Sequence, residues 1–415
     1  MLHELKEREA AGQRIRVALV GAGFTGLGIA RQVTRTPGMD LASITDRDLQ
    51  AATKAAQACG KPYATVGPDD PLPGEESLLV TQDPLFLFER SSEIGIDVVV
   101  EATGSLGFGA RVSLAAIDNG LHLVLLNAEV DLTLGSLLSR AAHQRGVVYT
   151  SDAGDQHGVL MRMMEEIQLW DFRIIMAGNI KGFHNLYATP ESLVHEARIR
   201  NLNPIQCCAF TDGTKLGFEM ALVSNGTGLR TWVPGMEGPQ AKHVQEVLDL
   251  FDFTRYGDQG VVDYILGAEP GGGVFVVGYC DDEIQQGYLK YLKMGDGPYY
   301  LFYRPYHLVP VETPRAVAAA ALYGRPILEP KQGRVSDVYA YAKRDIQAGE
   351  TIDRGIGGPH FYGMIDDCGR ASRQGGVPIA LLASEDGKEA RIKRTLRRDR
   401  PLSYDDVDLP QTNLL

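Results

Sequence analysis

Short apolar runs alternate with helix-like segments over the first third of the chain. The runs have the length and composition of buried strands, and the segments between them carry apolar residues at helical spacing. We predict strands at residues 14–20, 39–45, 78–81, 96–104, 121–126 and 147–150, with helices ending near 33 and 59 and at 108–119 and 132–144. This alternation is typical of a doubly wound parallel α/β sheet, which we place at residues 1–153.

The pattern becomes irregular after residue 154 and predicts a central α+β domain that extends to residue 330. The predicted elements of this domain are helices at 157–170, 241–251 and 314–323, strands at 172–179 and 274–280, and a strand-like aromatic run at 297–307. A proline-bounded linker at 326–330 ends the domain. Two similar stretches at 341–352 and 391–402 then predict a small all-β domain at 331–415. We place the arginines of the second stretch on an exposed strand edge, with an anion site as the alternative.

The first predicted strand leads into a glycine-rich turn and then into a helix. The turn reads Gly21-Ala22-Gly23-Phe24-Thr25-Gly26. Between a strand and a helix this spacing is typical of dinucleotide-binding sites, because the glycines allow a tight turn, the approach of a pyrophosphate and close helix packing. A glycine-rich turn of another α/β domain that binds a different anion is the alternative.

Two further strand ends support the dinucleotide interpretation. Asp46 follows the second strand at about the spacing expected for the acid that binds ribose hydroxyls. Ala102, Thr103 and Gly104 end a later strand, where small residues leave space for a nicotinamide ring. The predicted cofactor is therefore a nicotinamide dinucleotide. Asp46 suits the free ribose hydroxyl of NADH, whereas Arg47 suits the 2′-phosphate of NADPH.

Composition argues against several other classes of protein. The formal net charge is −12 and only residues 391–400 form a basic block, so we expect no nucleic-acid partner. Five cysteines without a CxxC pair indicate neither a disulfide framework nor a structural zinc site, and they fit a reducing cytoplasm. No apolar run reaches the length of a membrane span. Asp152, Asp155 and His157 lack a second cluster that would complete a ligand set, so the use of a divalent metal is left open.

Several motifs taken together resemble one group of enzymes. They are the glycine-rich turn, VVVEATG at 98–104, FTDGTK at 210–215 with Glu219 and Asn225, GPYYLFYRPYHL at 297–308, and RDIQAGETI in the tail. The chain resembles the homoserine-dehydrogenase-like superfamily and, more closely, the deoxyxylulose-phosphate reductoisomerase-like enzymes, which append a SAF-type β-clip domain. Homoserine dehydrogenases commonly carry Asn-Lys where this chain has Asn127-Ala128-Glu129, and that departure favours the reductoisomerase-like enzymes.

The resemblance implies a Rossmann-type nucleotide domain whose cofactor site includes Asn127 and Glu129. Together with Arg47, it favours NADPH over NADH. It implies conversion of 1-deoxy-D-xylulose 5-phosphate to 2-C-methyl-D-erythritol 4-phosphate, an isoprenoid precursor. It also implies a homodimer or higher homo-oligomer that pairs through the substrate domain.

Two lysines are candidates for the proton transfer that accompanies hydride transfer. Lys215 lies one helical turn before Glu219 in a segment that begins after Asp212, and Lys181 leaves a strand end on a glycine-flanked loop. An exposed ion pair and a mobile surface lysine are the alternatives. The resemblance implies that the acid and the lysine of segment 212–219 line the substrate site.

Four further residues complete the expected substrate site. Arg304 and His307 suit an anionic group, because the arginine fork matches a carboxylate or phosphate, with a structural salt bridge as the alternative. Asn185 and Asn225 are assigned to the same site. The leading hypothesis is an NAD(P)H-dependent oxidoreductase or reductoisomerase acting on a small anionic polyhydroxylated substrate. A dehydrogenase of a sugar acid, branched sugar or homoserine-like alcohol without rearrangement, and a noncatalytic cofactor- or sugar-sensing protein, are the alternatives.

Overall fold

The computed structural model describes residues 1–74, 76–382 and 389–409. Its first part alternates strands and helices, as the apolar runs predict. The elements are α1 (Leu2–Ala10), β1 (Ile15–Val20), α2 (Phe24–Arg35), β2 (Met39–Thr45), α3 (Leu49–Cys59), β3 (Tyr63–Thr65), β4 (Leu78–Thr81), α4 (Leu85–Glu89), α5 (Ser91–Ile94), β5 (Val98–Glu101), α6 (Leu106–Asp118), β6 (His122–Leu125), α7 (Ala128–Arg145) and β7 (Tyr149–Ser151). The predicted strands at 39–45 and 78–81 are confirmed with the same bounds.

These seven strands form one parallel sheet in the order β3-β4-β2-β1-β5-β6-β7. Strand β1 pairs with β2 on one side and with β5 on the other, so the strand order reverses between β1 and β5. The carboxyl ends of β1 and β5 meet there, where the Ala102 N–H donates to the Val20 carbonyl at 2.8 Å. The predicted doubly wound sheet is confirmed, and its topological switch point is the edge at which such sheets bind ligands.

The middle of the chain forms a smaller mixed sheet with surrounding helices. Its elements are α8 (Gln156–Leu169), β8 (Arg173–Lys181), α9 (Val194–Ile199), α10 (Pro204–Thr211), α11 (Thr214–Thr227), α12 (Val247–Leu250), β9 (Val261–Leu266), β10 (Val274–Tyr279), α13 (Glu283–Tyr291) and β11 (Tyr299–Arg304). Helix α14 (Val309–Tyr323) follows them along the chain. The sheet order is β11-β10-β8-β9, with β8 and β9 parallel and the other pairs antiparallel. The α+β prediction is confirmed.

Short antiparallel sheets follow, as predicted for the last part of the chain. The elements are β12 (Ser336–Ala342), β13 (Thr351–Ile352), β14 (Phe361–Asp367), α15 (Cys368–Ser372), β15 (Ala390–Ile392) and β16 (Val407–Asp408). The two similar stretches pair with each other, because β13 pairs with β15 and the Ile346 and Leu396 backbones exchange hydrogen bonds of 2.8 and 2.9 Å. Residues 383–388 and 410–415 of the predicted β domain lie outside the described residues.

The chain divides into two compact units. The first comprises residues 1–158 and 308–329, and the second comprises 159–307 and 330–415. Segment 308–329 therefore differs from its predicted place in the central domain. The reason is hydrophobic, since Ala316, Val317 and Ala318 of α14 are buried in the core that β1, β2 and α2 build. Within the second unit, α11 packs against β12 and β14, and the Asn225 amide oxygen accepts the N–H groups of Val335 and Ser336.

Three local predictions were wrong. The helix expected at 241–251 is reduced to a 3-10 turn and α12, because the N–H groups of Ala241 and Val244 pair with the carbonyls of Leu266 and Glu269. Helix α14 begins at Val309 and contains Pro314, which was predicted as the first residue of this helix. The arginines of 391–402 are exposed as expected, but β15 is the central strand of its sheet rather than an edge.

All five cysteines are free thiols. Among the described residues, no helix combines the length and the apolar character that a membrane crossing needs.

Candidate functional site

The fold itself requires two of the three glycines in the turn after β1. Gly21 has a φ of +103°, and a Cβ on it would lie 2.7 Å from the carbonyl of Ala102. A Cβ on Gly26 would overlap the carbonyl oxygen of Gly21. These glycines therefore set the tight turn and the close packing of α2 on β1, as the fingerprint predicts.

Gly23 has no such structural reason to be glycine. Its φ is −65°, and no heavy atom lies within 4 Å of the position that a Cβ would take. Gly23 precedes the first turn of α2, which has no side-chain cap, so the N–H groups at the helix start have no side-chain acceptor there. An exposed glycine without neighbours beside an uncapped 12-residue helix fits the approach of a pyrophosphate. Phe24 and Thr25, in the same first turn, are exposed and half-buried.

Asp46 fixes the glycine-rich turn to the end of β2. One carboxylate oxygen accepts the Ala22 N–H at 2.7 Å, and the other accepts the Asp48 N–H at 2.9 Å. Each oxygen keeps a second lone pair for a ribose hydroxyl. Arg47 is exposed, with its carbonyl bound to Gln82, and its guanidinium makes no hydrogen bond to the described part of the chain. Asp46 can therefore still accept a ribose hydroxyl, and Arg47 can still bind a 2′-phosphate, as predicted.

A buried carboxyl group lies at the end of β5, on the other side of the switch point. Glu101 is fully buried, and one of its oxygens accepts the N–H of Thr103 at 2.8 Å and also the Thr103 hydroxyl. Burial raises the pKa of Glu101 to about 7, although the hydrogen bonds from Thr103 and Asn127 oppose that rise. The sequence pattern predicts Glu101 only as a strand residue. Its position before Ala102 and Gly104 makes it a support for the backbone on which the nicotinamide is expected.

Asn127 and Glu129 begin α7, beyond the end of β6. The Asn127 oxygen caps the helix by accepting the Val130 N–H at 3.3 Å, and its amide nitrogen donates to the Ser105 carbonyl at 3.2 Å. These bonds give Asn127 a structural role. Glu129 lies half-buried in the first turn of α7. A direct contact of either residue with a cofactor stays a prediction.

Lys181 lies at the centre of a polar cluster in the second unit, formed with Asp212 and Glu219. It ends β8, two residues after Asn179, so both side chains lie on one face of the sheet. The Nζ atom donates to the Phe210 carbonyl at 2.7 Å. Burial lowers the pKa of Lys181, while the nearby carboxylates of Glu219 and Asp212 oppose that shift. A partly desolvated lysine between two acids has the properties of a group that exchanges protons near neutral pH.

The acids of this cluster lie at the start of α11. Glu219 is buried, and its Oε2 lies 3.4 Å from the donor nitrogen of Asn179. Asp212 is fully buried, and its Oδ1 accepts the Thr214 N–H at 2.9 Å. Burial raises the pKa of Asp212, opposed chiefly by Lys343. The structure therefore brings together three of the four predicted catalytic residues: Lys181, Asp212 and Glu219.

Lys343 was not predicted, and it completes the cluster from the tail of the chain. Its Nζ lies 2.8 Å from Asp212 Oδ2, with 2% of the lysine side chain and none of the aspartate side chain exposed. The same ammonium donates to the carbonyls of Ala188 and Gly358 at 2.6 and 2.8 Å. Cys208 Sγ lies 3.3 Å away, and burial raises the pKa of this thiol to about 12. The only sequence signal for Lys343 was a charged residue directly after a strand.

His184 is a second residue near Lys181 that was not predicted. Its ring lies so close to Gly213 that a Cβ there would overlap Nε2, and Gly213 has a φ of +84°. Burial lowers the pKa of His184, and the positive charge of Lys181 lowers it further. The buried Nε2 has no hydrogen-bond partner in the described residues. His184 therefore packs closely against the backbone between Asp212 and Thr214, with its Nε2 enclosed at Gly213.

Arg304 lies on the same row of the sheet as Asn179. Val274 of β10 is opposite both Asn179 of β8 and Arg304 of β11, so the three side chains share one face. With strands about 4.8 Å apart, Arg304 starts about 10 Å from Asn179. Its guanidinium stacks over the Tyr306 ring at 4.5 Å. This placement is compatible with a role for Arg304 in binding an anionic group.

The remaining predicted substrate residues make hydrogen bonds within the protein, and their contact with a substrate stays a prediction. Asn225 lies six residues beyond Glu219, about 9 Å along α11, and its oxygen holds the chain that enters β12. The His307 ring bonds the Gly272 carbonyl at 2.8 Å, and exposed Asn185 accepts the Tyr187 N–H at 3.1 Å. Lys215, the fourth predicted catalytic residue, is half-buried in the first turn of α11, one turn before Glu219, and its catalytic role stays a prediction. Substrate contact by Asn185, Asn225 and His307 gains no support from these geometries.

The residues considered for a metal have other partners. Buried Asp152 accepts the N–H groups of Gly154 and Asp155 at 2.7 and 3.2 Å, and burial raises its pKa to about 7. Within the described ranges, no group of three histidine, cysteine, aspartate or glutamate side chains is arranged to hold a metal ion.

Comparison with known proteins adds one match over part of the chain. Residues 154–313 match a family model described as the catalytic domain of oxidoreductase DRL. This agrees with the predicted resemblance over the central region, while the SAF-type identity of the tail stays a prediction. None of the curated proteins compared with the chain matches it.

Three solved structures of oxidoreductases overlap with the chain. A homoserine dehydrogenase from Thiobacillus denitrificans is 17% identical, with 81% of this chain and 83% of that chain covered and a TM-score of 0.47. A probable dehydrogenase from Thermotoga maritima is 13% identical, with 77% and 91% covered and a TM-score of 0.44. A 1-deoxy-D-xylulose 5-phosphate reductoisomerase from Zymomonas mobilis, solved with NADPH, is 18% identical, with 50% and 57% covered and a TM-score of 0.36. At such values none of their activities is transferred to this chain.

Proposed function

We propose that this protein is an NADPH-dependent oxidoreductase that reduces the aldehyde or ketone of a small, anionic, polyhydroxylated substrate. The observation that carries the proposal is the cluster of Lys181, Asp212 and Glu219, in which burial lowers the pKa of the lysine beside two acids. The match of residues 154–313 to an oxidoreductase catalytic domain supports it. The geometry at the β1–β5 switch point supports the choice of a dinucleotide.

The first unit supplies the residues that would hold the dinucleotide. The start of α2 and the open space at Gly23 fit the pyrophosphate, and the second lone pairs of Asp46 fit a ribose hydroxyl. Arg47, exposed beside Asp46, fits the 2′-phosphate that distinguishes NADPH. A bound NADPH would supply the hydride for the reduction.

The second unit supplies the proton. Protonated Lys181 donates its Nζ proton to the carbonyl oxygen as the carbonyl carbon accepts the hydride, which yields the alcohol. The Glu219 carboxylate stabilises the ammonium form electrostatically, and a proton from solvent restores that form after the transfer. Arg304 binds the anionic end. Lys343 is a positioning residue, because its ammonium holds the Asp212 carboxylate in place.

The finer proposal is that reduction is coupled to rearrangement of the carbon skeleton, as the resemblance to reductoisomerase-like enzymes implies. Its support is the family match over 154–313. The substrate would need an anionic group for Arg304 and adjacent hydroxyl and carbonyl groups for the rearrangement. A substrate with a phosphate and these two groups, of which 1-deoxy-D-xylulose 5-phosphate is an example, has both features.

The experiment is a substrate panel. Phosphorylated ketoses, sugar acids and aspartate semialdehyde are incubated with NADPH, loss of cofactor absorbance is followed, and the products are identified by NMR. The proposal expects turnover of a phosphorylated ketose with a rearranged product skeleton. An unrearranged alcohol would refute the rearrangement and support a simple dehydrogenase. If every compound in the panel left NADPH unoxidised, the substrate class assigned here would be wrong.

A further inference from the structure

A cavity of about 290 Å³ lies in the second unit at the far end of β9 from Lys181. Lys181 is paired with Leu266 at the end of β9, whereas the cavity reaches Gly260 and Val261 at its beginning. Five residues of strand separate these positions by about 16 Å. The cavity is therefore distinct from the lysine–acid cluster.

Three guanidinium groups line this cavity, although the chain as a whole has a formal net charge of −12. They belong to Arg230, Arg370 and Arg373, and Asp367 is the carboxylate that lines it with them. The local charge is therefore positive in a protein that is acidic overall. Such a concave positive surface attracts anions from solution.

The three arginines differ in how many donors they retain. Arg370 is held in place, because its guanidinium donates to Asp366 at 2.6 Å, to the Thr231 hydroxyl at 3.0 Å and to the Trp232 carbonyl at 3.3 Å. Arg230 donates through one nitrogen to Asp367, which leaves its other N–H groups available. Exposed Arg373 makes no hydrogen bond or ion pair with any residue that the structure describes. Arg230 and Arg373 thus have donors for an incoming anion.

A rigid aromatic wall completes the cavity. Trp232 is 42% exposed, and its ring meets Tyr256 edge-on at a centroid distance of 5.5 Å. The Arg255 guanidinium lies 5.4 Å from the Trp232 centroid, and the Tyr256 hydroxyl donates to Glu237 at 2.8 Å. Because the indole is held in place but still exposed, a planar group that stacks on it would bind with favourable free energy.

We propose that this cavity binds a small molecule that carries a phosphate or carboxylate next to a planar apolar group. Arg230 and Arg373 take the anionic group through their free N–H donors, as guanidinium forks do with planar or tetrahedral oxyanions. Trp232 covers the planar part. The volume suits a compact ligand of this kind, near the lower end of small-molecule pockets. The inference does not depend on the proposed function.

Intrinsic fluorescence reports directly on this cavity. The chain has two tryptophans, so Trp170→Phe leaves Trp232 as the sole indole. Phenyl phosphate serves as the complete probe, inorganic phosphate as the charged part and phenol as the planar part. We expect a saturable change in Trp232 emission with phenyl phosphate at millimolar concentrations or below, and at least tenfold weaker binding of either part, which corresponds to about 1.4 kcal/mol.

The variant that tests the charge is Arg373→Gln, made in the Trp170→Phe background. Because Arg373 is exposed and lacks a partner in the described residues, the thermal midpoint should not change, while phenyl phosphate affinity should fall at least tenfold. Arg394→Gln, at another exposed arginine of the second unit, is the matched control and should bind like the parent. The proposal is overturned if Trp232 emission does not saturate, if Arg373→Gln binds as tightly as the control, or if phenol alone binds equally well. No turnover enters these readouts, so they do not depend on the enzymatic proposal.

Discussion

Replacing Lys343 with methionine should destabilise the second unit by about 3–5 kcal/mol near pH 8, because it leaves a buried carboxylate without its ion-pair partner. The magnitude follows from the geometry. The Nζ–Oδ2 distance is 2.8 Å, and the two side chains are 2% and 0% exposed, so water cannot replace the lost ammonium. The carbonyls of Ala188 and Gly358 lose a donor as well.

The loss should depend on pH in a defined direction. Burial already raises the pKa of Asp212, and removal of the cation that opposes this rise should raise it further. The cost of the substitution is present above the folded-state pKa and shrinks as pH falls through it, because a protonated Asp212 needs no counter-ion. The destabilisation of Lys343→Met should therefore be larger at pH 8 than at pH 5.

Calorimetric melting of four proteins measures this effect: wild type, Lys343→Met, Asp212→Asn and the double variant. For a unit of this size, a loss of 3–5 kcal/mol lowers the midpoint by about 6 °C or more. The double variant should recover much of that loss, because neither charge remains buried. A midpoint shift under 2 °C at pH 8, or a double variant no more stable than Lys343→Met, would refute the reasoning.

Three further predictions concern the first unit. Gly23→Val should fold normally, because no atom lies within 4 Å of the new Cβ, but it should lose dinucleotide binding in a fluorescence titration. Gly287→Val is the control, because its new Cβ has equally free space. Retained dinucleotide affinity in Gly23→Val would contradict the interpretation of the glycine-rich turn. Arg47→Ala should weaken NADPH at least tenfold and leave NADH unaffected, as the same titration would show; equal losses for both cofactors would remove Arg47 from the 2′-phosphate site. The pKa of Glu101, raised to about 7, lets this group contribute a fall in the free energy of unfolding of up to about 3 kcal/mol as pH rises from about 4.5 to 7. Glu101→Gln should remove that contribution, so its melting curves at pH 5 and 8 should differ less than those of the wild type; an unchanged difference would count against an ionising Glu101.

Local patterns were sufficient to predict the first unit because its elements are set by nearby residues. Strand β2 ends at the predicted Thr45, and helix α3 ends at Cys59, near which the sequence predicts a helix end. The turn at Gly21 and Gly26 is fixed by contacts within the strand–turn–helix segment and with β5. A sequence pattern that carries its own turn chemistry can be interpreted without the tertiary structure.

The candidate site of the second unit was predicted only in part, because its contacts join distant segments. Lys181, Asp212 and Glu219 could be proposed from their strand-end and helix positions. Lys343 could not, since 131 positions separate it from Asp212 and a single charge after a strand is usually exposed. Asn225 has the same kind of distant contact, because its partners Val335 and Ser336 lie 110 and 111 residues further on. This structural contact could not be predicted from the sequence, and substrate binding by Asn225 stays a prediction.

The most direct test of the proposed chemistry is the turnover number of Lys181→Met on the substrate that the panel identifies. Lys242→Met, at an exposed lysine of the same unit, is the matched control. Lys181→Met should retain the wild-type thermal midpoint to within a few degrees and the wild-type affinity for NADPH, with turnover reduced about 10²–10⁴-fold, the usual contribution of a general acid. Turnover by Lys181→Met within threefold of the Lys242→Met control would contradict the assignment of Lys181 as the proton donor.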